Sequence, residues 1–292
     1  MTATAALSRF VALHEGAAIP DGALGLARTA FIDVMATTLA GAAEPVGREV
    51  TAWVRDAGGA LAATVVAGGF KTSTAQAALA NGTMAHALLY DDTTFVTLAH
   101  HSVALAPTAL ALGEALSASG RSVLEAYVIG FEVLTKLGRA LNPTHYEKGW
   151  HATSVLGTLA AAATAGRLLR LDADRVEMAL GMAASMAGGS RQQFGTMTMP
   201  LHAGLACRNG VMAAERDVLQ VSTKKYGALT VGGNYAKVAE GLNVAAMRIE
   251  KPGDIAPAIK DAVRVTEGGA PFLLEVVVKE GYDFSRYPLE GL

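Results

Sequence analysis

Cysteine, charge and aromatic side chains are all scarce in this chain. A single cysteine, Cys207, among 292 residues leaves no route to an intrachain disulfide. It reads as a small buried apolar residue in a reducing compartment, the cytoplasm. Lysine plus arginine (24) nearly balance aspartate plus glutamate (26), and no basic run occurs. Nucleic acid and anionic membranes are therefore not expected as partners. Residues 1–16 lack a basic segment followed by a long apolar one, so no secretory signal is expected. Ala-rich stretches such as 156–169 are too short to span a bilayer. Glycine-rich phosphate loops, the dinucleotide fingerprint and the G-x-S-x-G elbow are also missing.

What the sequence does have is alanine, glycine and leucine at helical spacing. Residues 1–220 read as helix almost throughout, with elements expected near 46–57, 73–90, 102–118, 121–140, 152–169, 173–187 and 201–219. Pro20-Asp21 opens a further amphipathic run with Leu24, Ala27, Phe31, Val34 and Leu39 on one side, ending at Gly41. A short β-prone run, Ala62–Ala67, interrupts the pattern. Residues 221–233 read as a linker. Beyond them a short helix (Tyr235–Gly241), a strand (Ala245–Glu250), a helix opened by Asp254 and a strand (Phe272–Val278) make a β-α-β unit. That helix carries Ile255, Ile259 and Val263 on one face. Two parallel strands rarely stand alone, so this segment is expected to dock on the helical body or on a second subunit. The fold class is thus mainly α: a helical domain, 1–220, with a short C-terminal β-α-β appendage, 234–292.

Charged residues are only 17% of the chain, which makes one polar segment conspicuous. Asn81 to Ser102 reads N-G-T-M-A-H-A-L-L-Y-D-D-T-T-F-V-T-L-A-H-H-S. Buried polar groups are costly unless paired, and proton-transferring groups gather where chemistry happens. Asp91 and Asp92 follow an apolar turn at an expected helix C-terminus, an unfavourable place for negative charge unless cations or helix N-termini answer it. Capping of the next turn is the alternative role for these aspartates and for Thr93. His100 and His101 precede a helix start, as do His151 and His202. A helix N-terminus keeps imidazole neutral and attracts anions, so these positions, with His86, suggest a pocket for a polyanionic small molecule. A metal centre is not expected, because neither H-x-x-x-H nor C-x-x-C spacing is present.

The ordered motifs N-G…A-H-A-L-x-Y-D-D-T…H-x-S, G-W-H-A-T-S-V-L-G and F-G-T-M-T-x-P-L-H-A-G resemble the MmgE/PrpD family over about residues 5–219. That family includes 2-methylcitrate dehydratases, cis-aconitate decarboxylases and iminodisuccinate epimerase. The resemblance implies a homodimer with a large helical domain and a smaller α/β lid. It also implies cofactor-free dehydration, decarboxylation or epimerisation of small di- and tricarboxylates. Carried over, it assigns Thr93, His100 and His151 to the active site, with Asp91 and Asp92 orienting them. His86, His101 and His202 are expected to bind substrate, and His101 is an alternative match for His100.

Three departures stand against this pattern. Leu89 stands where the family usually has aspartate, Met199 where it has lysine before P-L-H, and the lid is not found. The segment from about 229 to 285 instead resembles the extreme C-terminus of thiamine-diphosphate enzymes. It lacks their magnesium- and diphosphate-binding motif, so thiamine diphosphate is not expected and Gly253-Asp254 reads as a helix cap. The chain reads as a junction of two family fragments, a gene fusion being one origin. Two functions compete: a lyase or isomerase scaffold, and a non-catalytic binding module or inactive remnant.

Overall fold

A computed structural model describes residues 2–215 and 234–277. The chain divides into two compact units, 1–220 and 221–292. The expected linker at 221–233 lies outside the described residues.

The first unit is helical. Its elements are α1 (Ala3–Leu13), α2 (Asp21–Gly41), α3 (Pro45–Ala57), α4 (Thr74–Ala85), α5 (Ser102–Ala115), α6 (Gly120–Leu141), α7 (Thr144–Glu147), α8 (Ala152–Leu168), α9 (Ala173–Met186) and α10 (Thr198–Glu215). Local signals set many starts. Ser119 and Asp172 accept from Ser122 N (3.1 Å) and Arg175 N (2.9 Å), and Pro45 opens α3. A hairpin of β1 (Ala63–Val65) and β2 (Phe70–Thr72) sits between α3 and α4, paired from Ala63↔Thr72 to Val65↔Phe70. The β-prone run at 62–67 anticipated β1; Phe-Lys-Thr is too short to announce its partner.

The inner helices α4, α5, α8 and α10 pack through small residues. Nearly all of α8 and α4 is buried. A Cβ at Gly204 would overlap Thr83 Oγ1 and Leu79 O of α4, and one at Gly210 would overlap Ala161 of α8. These glycines let α10 approach both neighbours at backbone distance. Three hydroxyls within this core bond carbonyls one turn back: Thr83 to Leu79 O, Thr108 to Ala104 O and Thr158 to Ser154 O, each at 2.8 Å.

Cys207 belongs to the same packing. Pro107 in α5 has no N–H, which frees the carbonyl four residues back, and Cys207 Sγ lies 3.2 Å from that Val103 oxygen. Burial pushes its thiol up to about 12. It is the small buried residue its scarcity suggested.

Some helical expectations are corrected. The helix expected over 73–90 stops at Ala85, because His86 leaves helical geometry (φ −97°, ψ 0°) and Leu89 turns left-handed (φ 56°). On α2, Leu24, Ala27 and Val34 are buried as expected, but Leu39 is exposed while Thr37 and Thr38 turn inward. The threonines can be buried because each bonds Val34 O. Among the described helices α2 alone is long and apolar enough to cross a membrane, by length and composition only.

The second unit has α11 (Tyr235–Gly241), β3 (Ala245–Ile249), α12 (Ile255–Glu267) and β4 (Phe272–Val276). The strands pair in parallel, Ala245↔Phe272 through Ile249↔Val276, as a β-α-β reading requires. Asp254 precedes α12, but a 3₁₀ turn over 252–254 leads in and its carboxylate makes no capping bond. Ala258 is buried, whereas Ile259 and Val263 are exposed, so the inner face of α12 is one residue off the one expected. The short Ala258 side chain allows that closer seat.

If close approach holds the inner helices, Gly204→Ala destabilises by about 1–3 kcal/mol. Gly181 on α9 has nothing within 4 Å of an added Cβ, and its change to Ala stabilises by about 0.5–1 kcal/mol. Thermal denaturation of both variants checks the pair. A Gly204→Ala protein melting at the wild-type temperature contradicts the packing account.

Candidate active site

Four imidazoles form a row at one end of the inner helices. His100 meets His86 edge-on with ring centroids 4.8 Å apart. His86 stacks on His151 at 5.9 Å, and His151 meets His202 at 5.4 Å. His86 follows the last turn of α4, His151 precedes the first residue of α8, and His202 lies in the first turns of α10. The sequence had placed these residues far apart, and the helix ends bring them together.

Asp91 anchors one end of the row. It is buried, and His86 Nδ1 lies 3.0 and 3.1 Å from its two oxygens. His100 Nδ1 lies 2.9 Å from Oδ2. Burial alone would raise the Asp91 pKa, but His100 and His86 outweigh it and hold the carboxyl well below the usual range. For His100, burial lowers the pKa, and the Asp91 carboxylate more than offsets that, leaving it raised. The Asp91 carboxylate thus favours the protonated form of His100 in a buried place.

The other end of the row is neutral. Burial pushes His151 down to about 3, helped by the neighbouring His86 and His202. His202 is also lowered by burial. Their Nδ1 atoms are 3.2 Å apart, so one donates and the other accepts. The backbone supports the pair: His151 N donates to Gly189 O at 2.9 Å, and Ser154 Oγ bonds Gly188 O.

The two aspartates divide the roles their position left open. Asp91 faces the histidines, while Asp92 accepts from Ser102 N (3.1 Å) and Ser102 Oγ (2.8 Å) at the start of α5. Ser102 Oγ also contacts Tyr127 OH at 2.6 Å. Burial raises the Asp92 pKa despite the Ser102 bonds. Thr93 is exposed, and its side chain makes no hydrogen bond among the described residues. His101 is fully buried against Phe131 of α6 (4.3 Å), with Nε2 3.4 Å from Thr135 Oγ1. Its ring packs on α6, and of the adjacent pair it is the His100 ring that joins the cluster. Asn81 binds the hairpin through Val66 N and Thr64 O, both at 2.9 Å, so the first part of the polar segment is structural.

Several neighbours were not singled out from sequence. Thr153 Oγ1 accepts from His100 N at 3.0 Å. Phe194 stands edge-on to His151 at 5.0 Å, and Arg191 lies 3.7 Å above the Tyr146 ring and 5.8 Å from Phe194. Tyr127 lies on an apolar helix face and carries no local signal. Met199 is buried in the first turn of α10, and Leu89 is half exposed.

His86, Asp91 and His100 offer donor atoms within 4.8 Å of one another. A metal at His86 Nδ1 would force the proton onto Nε2, which is buried with no partner. Metal-bound imidazoles normally donate that second N–H. The donor set fits a hydrogen-bonded carboxylate better than a metal centre.

A profile of the MmgE/PrpD N-terminal domain matches residues 5–216. Human cis-aconitate decarboxylase is 38% identical over 143 residues, 47% of this chain and 30% of the relative. The cis-aconitate decarboxylase-like protein oryM of Aspergillus oryzae is 30% identical over 220 residues, 72% of this chain and 46% of the relative. Cis-aconitate decarboxylase of Aspergillus terreus is 29% identical over 201 residues, 66% of this chain and 41% of the relative. The chain belongs to the MmgE/PrpD family. It spans less than half the length of these relatives. The family match ends at 216, and these relatives lend no support to the thiamine-enzyme resemblance of the C-terminal unit.

The buried imidazoles make stability fall on acidification. His151, at about 3, and His101, lowered by burial to about 4, stay neutral in the folded chain while the unfolded chain protonates them near 6.5. Each contribution is present above 6.5 and is lost as pH falls toward the folded value, up to about 2 kcal/mol per histidine at pH 5. His100 acts in the opposite sense, losing its contribution as pH rises through its raised folded pKa. Melting temperature therefore drops from pH 7 to pH 5, and His101→Phe flattens the drop. An unchanged slope in that variant means that His101 is not the buried neutral group described.

Proposed function

We propose that the helical unit carries the catalytic half of a cofactor-independent carboxylate lyase or isomerase acting on a small di- or tricarboxylate. The observation that carries this reading is the split along the row: an imidazole beside Asp91 whose protonated form is favoured at one end, and one that burial keeps neutral at the other. Paired titratable groups pushed apart in pKa mark acid and base assignments. His151 is the base, taking a proton from the carbon next to a substrate carboxylate. His100 is the acid, protonating a leaving hydroxyl or the carbon that loses carbon dioxide. The start of α8 beside His151 presents first-turn N–H groups and a positive dipole for a substrate anion, whereas the start of α5 is already capped by Asp92. The relatives' names, cis-aconitate decarboxylase, support a tricarboxylate and decarboxylation within this class.

A second reading, a binding module or inactive remnant, has its own support. Met199 is buried and apolar where a lysine would face substrate, and Leu89 offers no carboxylate. Loss of one transition-state electrostatic partner costs about 2.7–4 kcal/mol.

A homodimer fits the exposed Leu26, Ile32 and Leu39 of α2 and the exposed Tyr90, Phe95 and Val96 before α5. A cytoplasmic location suits the free buried thiol. The C-terminal unit, beyond the family match, is in this reading a fused segment.

Thermal shift against a panel including citrate and cis-aconitate separates the functions. The lyase reading predicts stabilisation by about 1.4 kcal/mol at ten times Kd, a rise of roughly 3–5 °C. It also predicts turnover that His151→Ala removes, and tighter binding by Met199→Lys. A shift without turnover favours the binding module. No shift with any acid, in wild type or Met199→Lys, overturns both binding roles.

A further inference from the structure

The His151–His202 contact carries a role that the acid–base split does not use. Two imidazole nitrogens 3.2 Å apart share a single proton: two lone pairs would repel, and so would two N–H groups. The contact therefore has two arrangements. In one, His202 Nδ1–H donates to His151 Nδ1, and the His151 proton sits on Nε2. In the other, His151 Nδ1–H donates to His202 Nδ1, and His151 Nε2 is a free base.

The surroundings hold the rings in this relation. Gly189 (φ +132°) has no side chain, and a Cβ there would come within 2.8 Å of Ser154 and 3.3 Å of His202 Nδ1. His151 N is bonded to Gly189 O, so the segment that fixes His151 is the one that leaves room for His202. The titratable or charged groups facing the pair are His86, stacked on His151, with Asp91 and His100 behind it, and Arg191 across the Phe194 ring.

We propose that His202 is a positioning residue that sets the tautomer of His151 and stores the proton that His151 removes from substrate. The proposal rests on the lyase reading for its chemistry. In the base arrangement, a substrate C–H bond breaks, its electron pair stays on carbon and the proton bonds to His151 Nε2. At the same time the His151 Nδ1 proton crosses to His202 Nδ1. His151 ends neutral and His202 ends as imidazolium, so one proton and one positive charge have moved from the substrate to the end of the row. That end is the ring farthest from His100. Burial and neighbouring imidazoles disfavour charge strongly on His151, and His202 is the less depressed of the two. Return of the same proton regenerates the base.

Histidine ¹⁵N NMR at neutral pH tests the pair without any substrate. The expected result is both rings neutral, with one Nδ1 proton between them, and that shared proton lost in His202→Asn. Wild-type spectra with both rings protonated only at Nε2 overturn the proposal. The second arm is kinetic. Asn can hold the hydrogen bond but cannot take the charge, so His202→Asn lowers kcat about a hundredfold or more. KM stays within about threefold, the pattern of a lost transition-state interaction. Wild-type kcat in His202→Asn overturns the storage role. If the wild-type protein turns over none of the acids, it is the lyase reading that fails, while the NMR arm still judges the pair.

Discussion

A buried carboxylate must be answered by something, and in this molecule the answer to Asp91 organises the site. Its oxygens meet His86 and His100, and that arrangement fixes both rings. With its charge kept, Asp91 favours the protonated form of His100. Through His86 the row continues to His151, where burial outweighs the weaker pull of Asp91, and to His202, which burial also lowers. One interaction thus produces two chemically different ends from identical side chains. The carboxylate can be reached because α4 stops at Ala85, which lets the chain turn back and carry Asp91 and His100 over the helix ends.

The inner packing makes that turn possible. Helices α4, α8 and α10 touch through alanine and glycine, so their ends lie close enough for side chains on three different helices to share one cluster. Larger residues at Gly204 or Gly210 would push the axes apart and separate His202 from His151. Scarcity of charge and abundance of small residues are two aspects of one design: a tight apolar body with polar groups collected at one end.

Much of the helical layout was legible in the sequence because caps and periodicity are local. Ser119, Asp172 and Pro45 sit where the expected helices begin. The end of α4 was not legible, since Ala-His-Ala-Leu-Leu reads as continued helix, whereas in the structure His86 leaves helical geometry and contacts Asp91. The residues of the site were largely legible as a dense polar run, but their division of labour was not. Asp92 ties down α5 and Asn81 holds the hairpin. His101 packs against Phe131, and these roles depend on neighbours distant in sequence. Tyr127 and Arg191 had no local pattern to mark them, and Phe194, though it opens a quoted motif, carried no sign of its contact with His151. For α12, the period was right and the face was wrong, because a small buried Ala258 replaced the bulkier residues as the point of closest approach.

The central claim is that Asp91 splits the protonation of the row. A pH titration of histidine side chains by NMR, in wild type and Asp91→Asn, tests it most directly. The account predicts that in wild type His100 titrates above the ordinary value of 6.5 while His151 stays neutral well below it. It predicts that His100 falls below 6.5 once the carboxylate is gone. His100 and His151 titrating together in the wild-type protein, or an unmoved His100 in Asp91→Asn, would contradict it.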